Sequence, residues 1–158
     1  MKPDRYCRLD TPIGTLTVAG HGEGITHVLF QGEEAPRDLR NLREEKSGAP
    51  ERACRQLEEY FAGARRVFDV PLDPSGTPFM REAWDRLAAI PWGETRSYGQ
   101  VAADMGRPKA ARAVGLANNR NPIPIFIPCH RVVGSTGKLT GYRGGLRAKE
   151  LLLELEQA

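Results

Sequence analysis

An apolar segment crossed by three prolines constrains the fold of this chain more than any other stretch. Residues 122–128 read Pro-Ile-Pro-Ile-Phe-Ile-Pro and lead directly into Cys129 and His130. The isoleucines and the phenylalanine predict burial, whereas each proline fixes φ and removes a backbone hydrogen-bond donor. The sequence therefore predicts a rigid, buried segment that is neither a regular helix nor a central strand.

Two interpretations of the cysteine at the end of this segment stay open. A thiolate is the nucleophilic form of cysteine, and the imidazole of His130 is one group that can generate it. A buried cysteine is more often a small hydrophobic residue with no reactive role. The adjacency of Cys129 and His130 does not by itself decide between the two.

The size and composition of the chain are those of a globular protein. Its 158 residues suffice for one domain of usual size or two small ones, and 40% of them are hydrophobic. No run is long and apolar enough to cross a membrane, and the polar N-terminus lacks the apolar core of a secretory signal. Three cysteines cannot all pair, which fits a reducing compartment, so we expect a cytoplasmic protein.

The N-terminal half begins with three short runs rich in Thr, Val, Ile and Leu, separated by turn residues. Such runs predict an antiparallel meander, over Arg5–Asp10, Gly14–Ala19 and Ile25–Phe30. The polar residues that follow predict a loop with some helix.

Further along, helical spacing predicts a helix over residues 51–62, and residues 67–70 predict one more strand. A loop rich in Pro, Gly, Ser and Asp then separates two domains. We place them at residues 1–72 and 73–158.

Two short helices joined by a glycine turn follow in the C-terminal half. After a helix over residues 79–89 capped by Thr77, Ser97 caps a helix over residues 98–105, and another spans residues 109–118. The last two helices are typical of a helix-turn-helix. We expect the buried stripe of the last one to consist of Ala110, Ala113, Val114 and Ala117.

The opposite face of that helix holds small residues and cations, namely Lys109, Arg112, Gly115 and Asn119. Small residues let a helix lie close to a polyanion, and Arg112 can project from it. The net charge of +3 permits a nucleic-acid partner without requiring one. An ordinary helical hairpin with a solvated face remains the alternative.

A closing helix over residues 146–156 carries Glu156 on its leucine-rich face, in line with Lys149. A carboxylate that faces the interior needs a partner, and His130 is a candidate. The preceding Gly144-Gly145 lets the backbone approach a ligand closely, although the need for a simple turn also explains these two glycines.

Several of these motifs resemble the O6-alkylguanine-DNA alkyltransferase family. Residues 128–133, Pro-Cys-His-Arg-Val-Val, preceded by residues 121–124, Asn-Pro-Ile-Pro, resemble its active-site signature. Residues 97–102 and 109–115 resemble its helix-turn-helix, and residues 141–146 followed by Lys149 resemble its active-site loop and final helix. The match runs from about Pro78 to Glu156, and the N-terminal half resembles the family only in order and length.

The resemblance implies an α+β fold, with a ribonuclease H-like N-terminal sheet and helix before an all-α, winged-helix-like helix-turn-helix domain. The implied activity is DNA repair by direct reversal. The protein would bind alkylated double-stranded DNA through the minor groove, flip the damaged guanine out and transfer its alkyl group to cysteine once. O4-alkylthymine is a further candidate substrate. We expect a monomer that needs no cofactor or membrane, with cooperative assembly on DNA left open.

The resemblance also assigns roles by position. Cys129 would accept the alkyl group, His130 would take the thiol proton through a water, and Glu156 would orient and charge that histidine. Tyr98 would donate a proton to N3 of the departing guanine, and Asn121 would brace the turns around the site. Arg112 would be the finger that fills the gap left by the flipped base, and the carbonyls of Cys129 and Val132 would accept from the exocyclic amine of guanine. The implied DNA-binding residues are Tyr98, Ala110, Ala111, Arg112, Gly115 and Arg120. The implied pocket residues are Val132, Tyr142, Arg143, Gly144 and Lys149.

Two features depart from the family pattern, one in the pocket and one in the N-terminal half. Arg143 stands where some members carry a small polar residue, which would alter the pocket width or add a phosphate contact. Some members bind a structural zinc in the N-terminal half, but here only Cys7 and His21 lie near suitable places, and Thr26 occupies a ligand position. Two ligands are too few for a structural site, so we predict no metal.

Three other classes of protein compete with an alkyltransferase. A binding module that grips alkylated DNA without reacting would lack the acceptor, whereas Cys129 is present. A helix-turn-helix regulator would need a dimerisation helix or effector domain, for which we find no pattern. A cysteine hydrolase would turn over many times, so the number of turnovers per protein molecule distinguishes it from an alkyltransferase.

Overall fold

The structure, a computed structural model, describes residues 1–157. The chain divides into two compact units, one comprising Met1–Ser75 and the other beginning at Gly76. Among the described residues, no helix combines the length and the apolar character that a membrane crossing requires.

The N-terminal unit is a four-stranded sheet with one long helix. The predicted antiparallel meander is confirmed, and a short fourth strand pairs in parallel with the first, so that the strands lie in the order third, second, first, fourth. A 3-10 turn at Arg37–Leu39 lies between the third and fourth strands. The elements are β1 (Arg5–Thr11), β2 (Gly14–Gly20), β3 (Ile25–Leu29), β4 (Arg43–Glu44) and α1 (Gly48–Phe61).

Both faces of this sheet bury apolar side chains. Alternation along the strands places Leu9, Leu16 and Val18 on one face, where they are buried and α1 packs on the sheet. The other face presents Ala19 and Leu29, which form an apolar cluster with Leu39. The segment between β3 and β4 therefore covers the part of this face around Ala19 and Leu29, whereas Arg8 and Asp10 of β1 are exposed.

The sequence prediction fails at two places in this unit. The strand expected over residues 67–70 is absent, and Val67 is 74% exposed. The edge of β3 is instead met by a single bridge between Ile25 and Leu72. The polar region expected to be mainly a loop contains β4, and α1 begins at Gly48 rather than at residue 51. A two-residue strand of exposed side chains carries no hydrophobic pattern that could reveal it.

The C-terminal unit is helical apart from a two-stranded parallel sheet. Thr77 accepts a hydrogen bond from the Met80 amide as predicted, and Ser97 forms a capping box with Gln100. Three helices pack on one another, and the short sheet joins Arg96 to Val132. The elements are α2 (Pro78–Ala88), β5 (Arg96–Ser97), α3 (Tyr98–Asp104), α4 (Ala111–Asn119), β6 (Val132–Val133) and α5 (Leu146–Gln157).

The second helix of the helix-turn-helix differs from its prediction in start and in buried face. It begins at Ala111, because Lys109 still belongs to the turn. Ala113 is exposed, and Asn118 is buried beside Val114 and Ala117. The stripe is therefore centred one residue further round the helix, and a polar residue fills a position that hydrophobic periodicity cannot indicate.

Candidate active site

The segment before Cys129 is buried and braced by one side chain. The Asn121 carboxamide donates from Nδ2 to the Ile127 carbonyl at 2.8 Å, while its Oδ1 accepts from the Ile123 amide at 2.9 Å. A single bridge joins Pro124 to Ile127, and no helix or strand forms over residues 121–128. The prediction of a buried segment that is neither a helix nor a strand is confirmed.

Backbone strain marks the middle of this segment. Ile125 has φ of 75°, and within residues 1–157 it is the one residue other than glycine in the left-handed region. A β-branched side chain adopts that conformation at a cost of roughly 1–2 kcal/mol. Because Ile125 is also buried, the surrounding packing and the Asn121 hydrogen bonds hold the turn that aims Cys129.

Cys129 begins a 3-10 turn that includes His130 and Arg131. Its side chain is nearly enclosed, with an exposed fraction of 4%. Burial raises the pKa of the Cys129 thiol, whereas a hydrogen bond with Asn121 and the positive charges of Arg143 and Lys149 lower it. The thiol is therefore neutral at rest and needs a base before it can act as a nucleophile.

His130 is the neighbouring base, and it is completely buried. Its Nε2 lies 2.7 Å from Oε2 of Glu156, so the predicted contact between these two residues is present. Nδ1 is buried and has no hydrogen-bond partner among residues 1–157. Burial lowers the pKa of His130 although Glu156 opposes the shift, so the ring is neutral, donates from Nε2 and keeps a lone pair on Nδ1.

Glu156 is held by a second partner that the sequence reasoning missed. Arg131 donates from Nε to Oε1 at 2.8 Å and from Nη2 to Oε2 at 2.9 Å, and its Nη1 donates to the Ile90 carbonyl at 2.6 Å. The sequence shows Arg131 only as part of the motif over residues 128–133, with no role assigned to it. Its position beside Cys129 and His130 was a signal, but the direction of its side chain is not a local property.

A buried lysine interacts electrostatically with the Cys129 thiol. Lys149 is fully enclosed, and its Nζ donates to the Val132 carbonyl at 2.7 Å and to the Thr140 carbonyl at 3.3 Å. Burial lowers the pKa of Lys149, while the Cys129 thiolate would raise it. The predicted pocket residues Val132 and Lys149 are thus brought together next to Cys129.

The loop between β6 and α5 contributes the remaining predicted pocket residues. Arg143 is exposed, and its Nη2 donates to the Asn121 carbonyl at 3.2 Å. Tyr142 and Gly144 are half-buried in the same loop. Tyr98, the first residue of α3, is half-buried, and its phenol lies 2.6 Å from the Thr140 hydroxyl, a contact that the sequence did not suggest.

Apart from Tyr98 on α3, the predicted DNA-binding residues lie along α4 and at its ends. Arg112 is exposed in the first turn, and Arg120 is exposed just after the helix. Ala110 and Ala111 are half-buried at the start. Gly115 faces Tyr98, since a side-chain carbon placed on it would meet the tyrosine ring at 3.9 Å. Small side chains and flanking cations therefore occupy one element, next to the phenol assigned to the reaction.

The N-terminal residues considered as zinc ligands have other partners. Cys7 Sγ donates to the Glu45 carbonyl at 3.1 Å and its thiol contacts that of Cys54. The His21 ring contacts Asp73 at 2.9 Å and accepts backbone hydrogen bonds at Nδ1. Within residues 1–157, no three His, Cys, Asp or Glu side chains are grouped closely enough to hold a metal ion.

Two family models together match almost the whole chain. The model described as the 6-O-methylguanine DNA methyltransferase ribonuclease-like domain matches residues 5–74. The model of the DNA binding domain of the same methyltransferase matches residues 78–158. These matches confirm the predicted fold class, with a ribonuclease-like first domain and a helical second domain.

Individual relatives agree with the family models. A methylated-DNA–protein-cysteine methyltransferase from Methanosarcina acetivorans is 50% identical over 151 residues, covering 96% of this chain and 97% of that protein. One from Mycobacterium bovis is 51% identical over 153 residues, covering 97% of this chain and 92% of that protein. The crystal structure of Mycobacterium tuberculosis OGT in complex with DNA superposes with a TM-score of 0.90 at 48% identity, covering 97% of this chain and 92% of the other. The chain belongs to the 6-O-methylguanine DNA methyltransferase family.

Proposed function

We propose that the protein repairs DNA by moving the alkyl group of O6-alkylguanine to Sγ of Cys129, once per protein molecule. The observation that carries this proposal is the buried series Cys129, His130 and Glu156, with Nδ1 of the histidine unpartnered among the described residues. The curated relatives that share half of its sequence are named as methyltransferases with a protein cysteine as acceptor. The chemistry of the site and the names of the relatives point to the same reaction.

Activation of the thiol follows from the charges around it. Nδ1 of His130 takes the Cys129 proton through a water, and Glu156 stabilises the imidazolium that forms. The ammonium of Lys149 favours the thiolate. The sulfur then attacks the alkyl carbon, and the carbon–oxygen bond breaks. The thioether that forms on Cys129 is stable, so the protein cannot react a second time. None of these steps requires a cofactor.

The departing guanine must leave as a neutral base, which requires a proton donor. We assign this donation to the phenol of Tyr98, which delivers its proton to N3. The carbonyls of Cys129 and Val132 accept from the exocyclic amine, and Tyr142, Arg143 and Gly144 line the pocket. Asn121 keeps the acceptor aimed at the base through its two backbone hydrogen bonds.

DNA is the partner, and it is present in the structure of the related protein from Mycobacterium tuberculosis. We infer that α4 enters the minor groove of the duplex, where small residues at Ala110, Ala111 and Gly115 permit a close approach. The target atom is inaccessible inside the stack, so the base is flipped out at a cost of a few kcal/mol. Arg112 fills the gap and Arg120 contacts phosphate.

The remaining assignments complete the proposal. The first domain, residues 1–72, is the ribonuclease-like domain, and residues 73–158 form the DNA-binding and alkyl-acceptor domain. The protein acts in the cytoplasm as a monomer. O4-alkylthymine is a candidate second substrate, because its alkyl group is also attached to an exocyclic oxygen that becomes a carbonyl on release.

Intact-mass measurement tests the proposal. The protein is mixed with a duplex that contains one O6-methylguanine, and we expect the mass of one methyl group on the protein and guanine restored in the DNA. Cys129→Ala should gain no mass, whereas Cys54→Ala should react like the wild type. Tight binding with no change in mass would instead identify a binding module. Repair of more bases than there are protein molecules would identify a turning-over enzyme.

A further inference from the structure

A hydrogen bond joins the phenol of Tyr98 to the hydroxyl of Thr140. The two oxygens are 2.6 Å apart, although the residues are separated by 42 positions in the chain. Tyr98 begins α3, and Thr140 lies in the loop between β6 and α5. Neither the known motifs nor the proposed roles give Thr140 a function.

Thr140 is held from a second direction. Its carbonyl accepts from the buried Lys149 Nζ at 3.3 Å, and Lys149 also binds the Val132 carbonyl. Its methyl group lies beside Gly134, where a side-chain carbon would meet it at 3.6 Å. The hydroxyl is therefore presented to Tyr98 by a fixed backbone.

The two hydroxyl groups can share their protons in only one way that suits the reaction. If Tyr98 donates to Thr140, its single proton is not available to guanine. If Thr140 donates to Tyr98, the phenol proton is free to point at N3 of the base. In the second arrangement Thr140 also stabilises the negative charge that develops on the phenol oxygen as its proton leaves.

We propose that Thr140 is a positioning residue for alkyl transfer, and that its hydroxyl donates to Tyr98 Oη and so promotes release of the phenol proton to guanine. This inference rests on the proposed function. In the step, sulfur bonds to the alkyl carbon, the carbon–oxygen bond breaks, and the Tyr98 proton moves to N3. Thr140 keeps its own proton throughout. Afterwards His130 releases to solvent the proton that it took from Cys129, and Tyr98 takes one proton from solvent, so that the protons balance.

A substrate without the acceptor nitrogen distinguishes this role from simple packing. Single-turnover rates are measured on two duplexes, one with O6-methylguanine and one with its 3-deaza analogue, which has carbon in place of N3. We expect Thr140→Val to slow methyl transfer from the first duplex about tenfold, as for loss of a hydrogen bond to a developing charge. On the 3-deaza duplex the variant and the wild type should react at equal rates. Because both rates come from one preparation, any loss of folded protein cancels in their ratio.

Three further variants complete the test. Thr140→Ser keeps the hydroxyl and should restore the rate to within about twofold of the wild type, since a factor of two is well under 1 kcal/mol. Thr136→Val changes an exposed threonine of the same loop and should leave the rate unchanged. In a Tyr98→Phe background, Thr140→Val should have no additional effect, because the group through which it acts is gone.

Two results would overturn the inference, and they differ from failure of the proposed function. Equal slowing of Thr140→Val on both duplexes would show that the hydroxyl acts on binding or folding rather than on proton transfer to N3. Additive effects of Tyr98→Phe and Thr140→Val on the rate would show that Thr140 does not act through Tyr98. Absence of methyl uptake by the wild-type protein would overturn the proposed function and this role together.

Discussion

Arg131 and Glu156 form a bidentate ion pair in the interior of the second unit. Their two hydrogen bonds measure 2.8 and 2.9 Å, and the side chains of both residues are almost fully buried. Charge-assisted hydrogen bonds of this kind fix the carboxylate of Glu156, and its Oε2 also accepts from His130 at 2.7 Å. The histidine that follows Cys129 in the chain is therefore oriented by a carboxylate whose own position is fixed by arginine.

Replacing the carboxylate should affect both the reaction and the fold. Glu156→Gln removes the anion that stabilises charged His130, so we expect slower alkylation and a more alkaline rate-versus-pH curve. It also leaves Arg131 as an unpaired buried charge, which costs about 3–5 kcal/mol of unfolding free energy. Alkylation rates from quenched time courses across a range of pH check the first effect, and urea unfolding checks the second.

Glu154→Gln is the control, because that carboxylate is exposed on the same helix and lies 3.9 Å from Arg147. We expect its rate and stability to match those of the wild type. An unaltered rate-versus-pH curve for Glu156→Gln would exclude the relay through His130.

Removal of the buried ammonium should make the thiol harder to ionise. The positive charge of Lys149 lowers the pKa of the Cys129 thiol, so Lys149→Met should raise that pKa and slow alkylation most at neutral pH. The apparent pKa is read from the pH dependence of thiol alkylation by a small reagent such as iodoacetamide. Lys138→Met, at an exposed position in the neighbouring loop, serves as the control. The same pKa in both variants would contradict this electrostatic role.

The finger role of Arg112 predicts a dependence on the form of the substrate. Arg112→Ala should slow repair of duplex DNA by roughly ten- to a hundredfold, because a flipped base costs a few kcal/mol when nothing fills its place. Reaction with the free base O6-benzylguanine should be almost unchanged. Arg86→Ala, another exposed arginine of this unit, should behave like the wild type. Equal losses on both substrates would remove the finger role.

Stability should decline in alkaline solution because of a buried thiol in the first unit. Burial raises the pKa of Cys54 from 9.0 to about 12, so between these values the thiol is ionised in the unfolded chain and neutral in the folded one. The unfolded chain then binds fewer protons, and the unfolding free energy falls by about 1.4 kcal/mol per pH unit from this group.

Cys54→Ala removes that contribution and should make the decline shallower, while Cys129, whose pKa is also raised by burial, retains its own. Urea unfolding at about pH 8 and about pH 10.5 measures the slope. A slope equal to that of the wild type would show that Cys54 ionises equally in both states.

Patterns that repeat over a few residues could be read from the sequence alone. The three strands of the meander, the capping residues Thr77 and Ser97, and the irregular segment before Cys129 follow from alternation, helical spacing and proline chemistry. These are local preferences, set by the residue and its immediate neighbours. The motif around Cys129 and His130 was also sufficient to indicate the family, because its residues are contiguous.

Contacts between distant segments were decided only by the tertiary structure. Arg131 reaches Glu156 across 25 residues, and Tyr98 reaches Thr140 across 42. Asn118 takes a buried position on α4 that its polarity argues against, and the expected strand over residues 67–70 does not form. In each case the outcome depends on which surface another segment presents at that point. Side-chain direction and strand pairing are properties of the packed chain, and no local pattern encodes them.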